Sequence, residues 1–360
     1  MSAQLVDATG ALPLPWLAAP LARALDTHRG HALLVHGAPG IGSMAFAFTL
    51  AQAWLCEADG DRPQRPCGRC GSCHLIQSHL HPDLTVLMPE TLRREHGWPL
   101  PDDKLDGEDS KRKPSKQIRI DDVRLVIERS TRTSARGRGK VALLHPADAL
   151  NLQSANALLK TLEEPAAGTR LLLTTADPER LLPTVRSRCQ QLRLREPAAD
   201  EAAAWLQGQG VTAPADAWVL LAACAGRPLD ALALVQAGVD ANAWAALPAA
   251  VAAGHAGALA GWPVPRALDA LQKLCHDALA RASGGPARYF PSAAVPARAH
   301  IARLVVWAQA LQRVARHAEH PWSEPLLLEA LVRGGAHALA AAPRSVASAA
   351  TGLSIHLSHE

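Results

Sequence analysis

The chain of 360 residues predicts an α/β module built on a parallel sheet, followed by a purely helical region. Apolar strand-like runs alternate with helical segments through the first half, which argues for a parallel sheet covered by helices. Strand signals cease beyond Glu196-Pro197, and alanine- and leucine-rich helical sequence continues to the end. Hydrophobic residues at 48% and charged residues at 19% exclude general disorder, and one tyrosine beside nine tryptophans argues against an all-β fold.

The first strand falls at residues 31–36 and runs into Gly37-Ala-Pro-Gly40-Ile-Gly42, a glycine turn that opens an apolar helix over 44–55. Further strands are expected at 84–88, 141–144 and 171–175. Between 90 and 117 the pattern collapses into prolines and charges: five acids lie within 102–109, followed by Lys111, Arg112, Lys113 and Lys116, which reads as a solvated surface loop. Order resumes at Ile118, where Ile120, Val123, Val126 and Ile127 recur at helical spacing behind Asp121 as the cap. A helix over 149–164 presents Leu152, Ala155, Leu158, Leu159 and Leu162 on one face and stops at Pro165. The helical region is broken by Gly226-Arg227-Pro228, by 283–296, and by Pro321 and Pro325. Three domains follow: 1–196 for the sheet, 197–240 as a small helical unit and 241–360 as a larger helical domain.

Lysine and arginine total 37 against 33 acids, so the net charge of +4 permits a nucleic-acid partner without requiring one. The N-terminus shows no secretory pattern and no apolar run reaches the length of a membrane span, so a cytoplasmic location is expected, with no membrane contact.

Cys56, Cys67, Cys70 and Cys73 form a C-x10-C-x2-C-x2-C cluster with Gly68 and Gly71 inside its knuckles. Four thiolates at such spacing can close a tetrahedron around Zn2+, and a site with no open position is structural. His74 or His79 is an available substitute ligand that the fourth cysteine makes unnecessary. Cys189, Cys224 and Cys275 are expected in the core.

The stretch Gly37–Met44, GAPGIGSM, keeps the glycine spacing of a phosphate-binding loop at Gly37, Gly40 and Gly42. Ser43 stands where the lysine for the β/γ oxygens belongs, and Met44 replaces the hydroxyl that holds Mg2+. After the strand at 141–144 come His145-Pro146-Ala147-Asp148, where a metal-binding aspartate and a water-orienting glutamate are expected of an ATPase. With all these groups missing, no productive ATP binding or hydrolysis is expected.

Residues 151–194, with N-A-L-L-K-T-L-E-E-P, a threonine-bearing strand and Ser187-Arg188-Cys189, resemble the clamp-loader ATPases of the AAA+ class. The cysteine insertion is similar to that of bacterial DNA polymerase III clamp loaders, and the ruined phosphate loop is similar to that of a non-hydrolysing loader subunit. The resemblance implies an AAA+ module with lid and an all-α collar. In its S-R-C motif, Ser187-Arg188-Cys189, the resemblance implies that Arg188 is an arginine finger offered in trans to a neighbour's ATP, with Arg186 as the nearby alternative. It also implies gamma/tau and delta subunits as partners in a hetero-pentamer, a sliding β clamp, and primer–template DNA reached through the complex. Leu229 takes the place of the second arginine that active relatives direct at their own nucleotide, and Arg227, two residues earlier, points elsewhere around the helix. An active ATPase motor and a free zinc-containing DNA-binding protein are the alternative functions. Arg129, Arg132, Arg136, Arg138 and Lys140 form a basic run that suits either DNA phosphates or a solvated loop. His276-Asp277, His317 and His320 lack a catalytic partner pattern, and the three histidines read as surface residues.

Overall fold

The computed structural model describes residues 5–59, 65–99, 113–317 and 322–341. The expected apolar runs become β1 (Ala32–His36), β2 (Leu84–Leu87), β3 (Lys140–Leu144) and β4 (Thr169–Thr175), joined at the edge by β5 (Gln190–Arg193). They form a five-stranded sheet in the order β2-β3-β4-β1-β5, every pairing parallel. Ala32 pairs with Leu171 and Leu33 with Gln190, so β1 lies between β4 and β5. The inner strands are continuous apolar runs because both faces of the sheet are covered.

On one face, Leu33, Val35, Leu143 and Leu172 pack with α1 (Ala18–Thr27) and α2 (Ser43–Leu55). Every residue of α2 from Met44 to Leu55 is buried, which is why its apolar character runs all the way round. Between α2 and β2 lies the short α3 (Gly71–Gln77), and β2 is followed by α4 (Glu90–His96). On the other face, Leu34, Ala142, Leu144, Leu171 and Leu173 pack with α5 (Ile120–Thr131), α6 (Leu152–Glu163) and α7 (Pro183–Arg186).

Local departures from the sequence reading have local causes. The segment 90–117 is not loop throughout: α4 occupies its start, where Glu90 pairs with Arg119 at 3.0 Å and accepts the Ser115 N–H at 3.0 Å. The acidic run 102–109, with Lys111 and Arg112, lies outside the described residues. Asp121 does not cap α5; Arg119 holds that position and its N–H donates to the Asp122 carboxylate at 3.2 Å. The helix expected from 149 starts at Leu152, because the Asn151 side chain accepts the Ser154 N–H at 2.8 Å and fixes the terminus there. Leu152 is consequently 64% exposed, and Ser154 and Thr161 share the inner face with Ala155, Leu158 and Leu162.

The chain divides into two compact units, residues 1–214 with 226–236, and 215–225 with 237–360. Besides the sheet, the first contains α8 (Ala199–Gly208) and α10 (Pro228–Gln236), which pack together. The intervening α9 spans Pro214–Ala223. The second unit is built chiefly of α11 (Ala241–Ala252), α12 (Val264–Ala282), α13 (Ile301–Arg316) and α14 (Glu324–Leu339). Gly335 lies in α14 where a Cβ would meet Trp307 and Val251 at 2.7 Å, so the glycine lets these helices approach closely. Cys189, Cys224 and Cys275 are buried as expected. Among the described residues no single helix is long and apolar enough to cross a membrane.

Candidate functional site

Strand β1 delivers Gly37–Gly42 to the N-terminus of α2, and Gly40 and Gly42 take left-handed backbone (φ +73° and +98°) that forms the loop's bend. The cradle is occupied by the chain itself. Leu14 lies against Gly42 and the Trp16 indole donates to the Ile41 carbonyl at 2.8 Å. From α10, the Leu229 N–H donates to the Gly40 carbonyl at 3.1 Å, and the Asp230 carboxylate lies where any other residue at 40 would place its Cβ. Arg227 is bound to that carboxylate (Nε to Oδ2, 2.5 Å). A loop that ordinarily faces phosphate therefore faces leucine side chains and an acid, with Met44 buried in the core behind it.

At the end of β3, His145 Nδ1 lies 2.6 Å from the Thr174 hydroxyl of β4, and that hydroxyl reaches the Leu144 carbonyl at 3.3 Å. Burial pushes His145 down to about 4, with nearby His96 acting in the same direction and Asp148 against it. Asp148, the acid on this segment, accepts the Thr175 hydroxyl at 2.9 Å and faces Arg180 at 3.5 Å. Nothing in the sequence pattern signals the His145–Thr174 contact, because it joins two strands adjacent only in the fold.

Ser187, Arg188 and Cys189 follow α7 and lead into β5. The Ser187 hydroxyl and an Arg188 N–H both bond the Thr184 carbonyl, at 3.2 and 2.8 Å. Arg188 also forms an ion pair with Glu163 at the end of α6, its Nε donating at 2.6 Å. One third of the Arg188 side chain stays exposed. Arg186 pairs with Glu179. Cys189 faces inward, where burial pushes its thiol up to about 12 and keeps it protonated.

The four cysteines converge, with their sulfurs all within 4.8 Å of one another. Cys67 and Cys73 sulfurs are 4.0 Å apart and those of Cys70 and Cys56 3.9 Å, close to the roughly 3.8 Å edge of a tetrahedron with metal–sulfur distances of about 2.3 Å. Backbone N–H groups of Cys70 and Cys67 donate to Cys67 and Cys56 sulfurs at 3.3 and 3.4 Å, the outer support that ligating thiolates use. Burial pushes the Cys56 and Cys73 thiols up, so ionising them without a cation is costly. The cluster can hold a metal ion, and His74 and His79 are not part of it; His79 packs on Trp98 instead.

A family model described as DNA polymerase III, delta subunit, matches residues 18–198, half of the chain. The chain belongs to that family. DNA polymerase III subunit delta' of Pseudomonas aeruginosa is 39% identical over 212 residues, 58% of this chain and 57% of that protein. The Escherichia coli subunit delta' is 37% identical over 231 residues, 62% of this chain and 60% of that protein. DNA polymerase III subunit tau of Salmonella typhimurium is 32% identical over 165 residues, 46% of this chain and 22% of that protein. The chain thus spans about three fifths of the length of the curated delta' relatives it matches.

In this member of the DNA polymerase III delta family the basic run is largely spent inside the chain. Arg132 pairs with Glu128, Arg136 with Glu57 and Arg138 with Asp59, while buried Lys140 donates to the Ser130 and Arg132 carbonyls. Arg136 also bonds the Ser72 hydroxyl at 3.0 Å, which accepts from His81, so the run ties the cysteine lobe to the sheet. Asp277, next to His276, is fully buried and accepts the N–H groups of Arg288, Tyr289 and Phe290 at 2.7–2.9 Å. His276 stacks edge-on against Tyr289, His317 ends α13, and His320 lies outside the described residues.

Proposed function

We propose that this chain is the non-hydrolysing delta'-type subunit of a bacterial DNA polymerase III clamp loader, acting in the cytoplasm with gamma/tau and delta subunits in a hetero-pentamer. The complex would open a sliding β clamp and place it on primed DNA, and this subunit would donate Arg188 to the ATP site of its neighbour. The observation that carries the reading is the pairing of a disabled phosphate loop with an intact Ser187-Arg188-Cys189 segment whose arginine remains one-third exposed. An arginine that can leave Glu163 for a neighbour's γ-phosphate would stabilise charge growing in the transition state. Residues 197–240 would serve as lid and 241–360 as collar.

Zn2+ is the ion that fits the four-sulfur cluster, since thiolates in a closed tetrahedron favour it and leave no position for water. Cys56, Cys67, Cys70 and Cys73 would hold it as a structural element, away from the phosphate loop.

The test is an Arg188→Ala subunit assembled with its partners at equal stoichiometry. Pre-steady-state hydrolysis stimulated by DNA and clamp should lose rate or amplitude at one site; unchanged behaviour at every site would make Arg188 structural.

A further inference from the structure

At the end of the sheet opposite the phosphate loop lies a cavity of about 1060 Å³, set against the starts of β1, β3 and β4 and the C-terminal ends of α1 and α2. Its wall brings together Arg29, Arg65, Arg138 and Arg170, from four separate segments of chain. Arg170 makes no ion pair among the described residues; its guanidinium lies over the Trp54 ring at 5.1 Å. Among the described residues Arg29 reaches only the Leu25 and His28 carbonyls at 3.5 Å, and Arg65 only the Ala58 carbonyl, at 2.6 Å. Arg138 pairs with Asp59, a side chain that is 83% exposed. His28, 9% exposed, stacks on Trp54 at 5.6 Å and bonds Gln190 through Nδ1, while its buried Nε2 has no partner among the described residues.

Guanidinium groups drawn to one cavity from four segments repel one another unless an anion joins them. Asp26 is the carboxylate in the wall, and each helix C-terminus adds about half a negative charge. Together with Asp59 these leave the cavity with excess positive charge. Arginine forks match phosphate oxygens two at a time, which favours phosphate over a simple halide. Trp54 is already engaged by His28 and Arg170, so it is a poor platform for stacking successive bases. The volume is that of a small-ligand site.

We propose that this cavity binds the phosphate chain of a small polyphosphorylated ligand, with Arg170 and Arg29 as its principal contacts. The site is separate from the phosphate loop and from Arg188, so its success or failure leaves the clamp-loader reading untouched.

The experiment is calorimetric titration of the full chain with tripolyphosphate at low salt, repeated with (dT)8, on wild type and on Arg170→Ala, Arg29→Ala and Ser43→Glu. Saturable binding at one site per chain is expected, weakened roughly tenfold by Arg170→Ala and severalfold by Arg29→Ala, and unchanged by Ser43→Glu. Thermal melts establish that each variant is folded, and the exposed Arg29 provides the arm least able to disturb the core. A fall in affinity in either arginine variant with Ser43→Glu unaffected supports the site. Absence of saturation up to millimolar ligand, indifference to both arginine substitutions, or loss on Ser43→Glu overturns it. Binding of (dT)8 with the same arginine dependence where tripolyphosphate does not bind assigns the cavity to nucleic acid and also overturns it.

Discussion

The Arg188 guanidinium is paired with the Glu163 carboxylate, joining the segment before β5 to the end of α6. Both side chains are partly exposed, so the pair contributes at most about 1 kcal/mol to the fold and is cheap to break. Glu163 would therefore hold the arginine in a defined place while leaving it transferable to a stronger anion. Glu163→Gln is expected to leave the melting temperature within a few degrees of wild type and to keep the assembled loader's stimulated hydrolysis at or above the wild-type rate. Arg188→Lys, which keeps charge but loses the fork, is expected to slow it. Hydrolysis falling equally in Glu163→Gln and Arg188→Lys would mean that Glu163 positions the finger and does not merely store it.

The isolated chain is expected to show no ATP turnover, and Ser43→Lys alone should not create any. A lysine at 43 would restore one cation beside the loop, but Met44 and the Asp230 carboxylate over Gly40 remain, and His145 and Pro146 still stand where the acids are expected. Steady-state phosphate release above background in that single variant would show that the occupied cradle can open.

One zinc per chain is expected in freshly prepared reduced protein, measured by elemental analysis. Cys73→Ser should lower stability by about 2 kcal/mol or more, because binding energy at such a site is also folding energy. Arg136→Ala should weaken the same lobe by a smaller amount, since it removes the bonds to Glu57 and Ser72 without touching a sulfur. Zinc absent from the wild type would remove the structural role assigned to the cluster.

Asp277→Ala is expected to cost about 2–4 kcal/mol in chemical denaturation, because three backbone N–H groups lose a buried acceptor together. Asp277→Asn, which keeps an oxygen, should cost less. Equal stability of Asp277→Ala and wild type would show that the 286–290 segment finds other partners.

Strands β1 to β4 were legible in the sequence because burial on both faces demands unbroken apolar runs, and the cysteines because ligand spacing is local. β5 was not: the side chains of Gln190-Gln191-Leu192-Arg193 at the sheet edge are mostly exposed, so they carry no apolar signal. The degenerate loop was legible by what Ser43 and Met44 lack, but not what fills it, since Leu14, Leu229 and Asp230 come from distant segments. The basic run stayed open between DNA phosphates and a solvated loop for the same reason: its partners Glu57 and Asp59, which meet Arg136 and Arg138, come from a distant segment.

His145 gives a pH dependence whose sign follows from its burial. Its folded value, about 4, lies below the ordinary histidine value of about 6.5, so the native state holds this ring neutral where the unfolded chain protonates it. The unfolded state then binds more protons between those two values, and stability falls as pH drops through that window; above about 6.5 the contribution is fully present. The shift corresponds to at most about 3 kcal/mol, reduced to the extent that the ring relaxes toward solvent on protonation. His36, His79 and His81, also pushed down by burial, add to the same slope, so wild type alone cannot isolate one ring. The informative measurement is the difference between wild type and His145→Gln in denaturant midpoint at pH 7 and pH 5. Glutamine keeps a polar group beside Thr174 but cannot titrate, so the variant should lose less stability on acidification than wild type does. Parallel losses in the two proteins would show that His145 is as readily protonated in the fold as outside it.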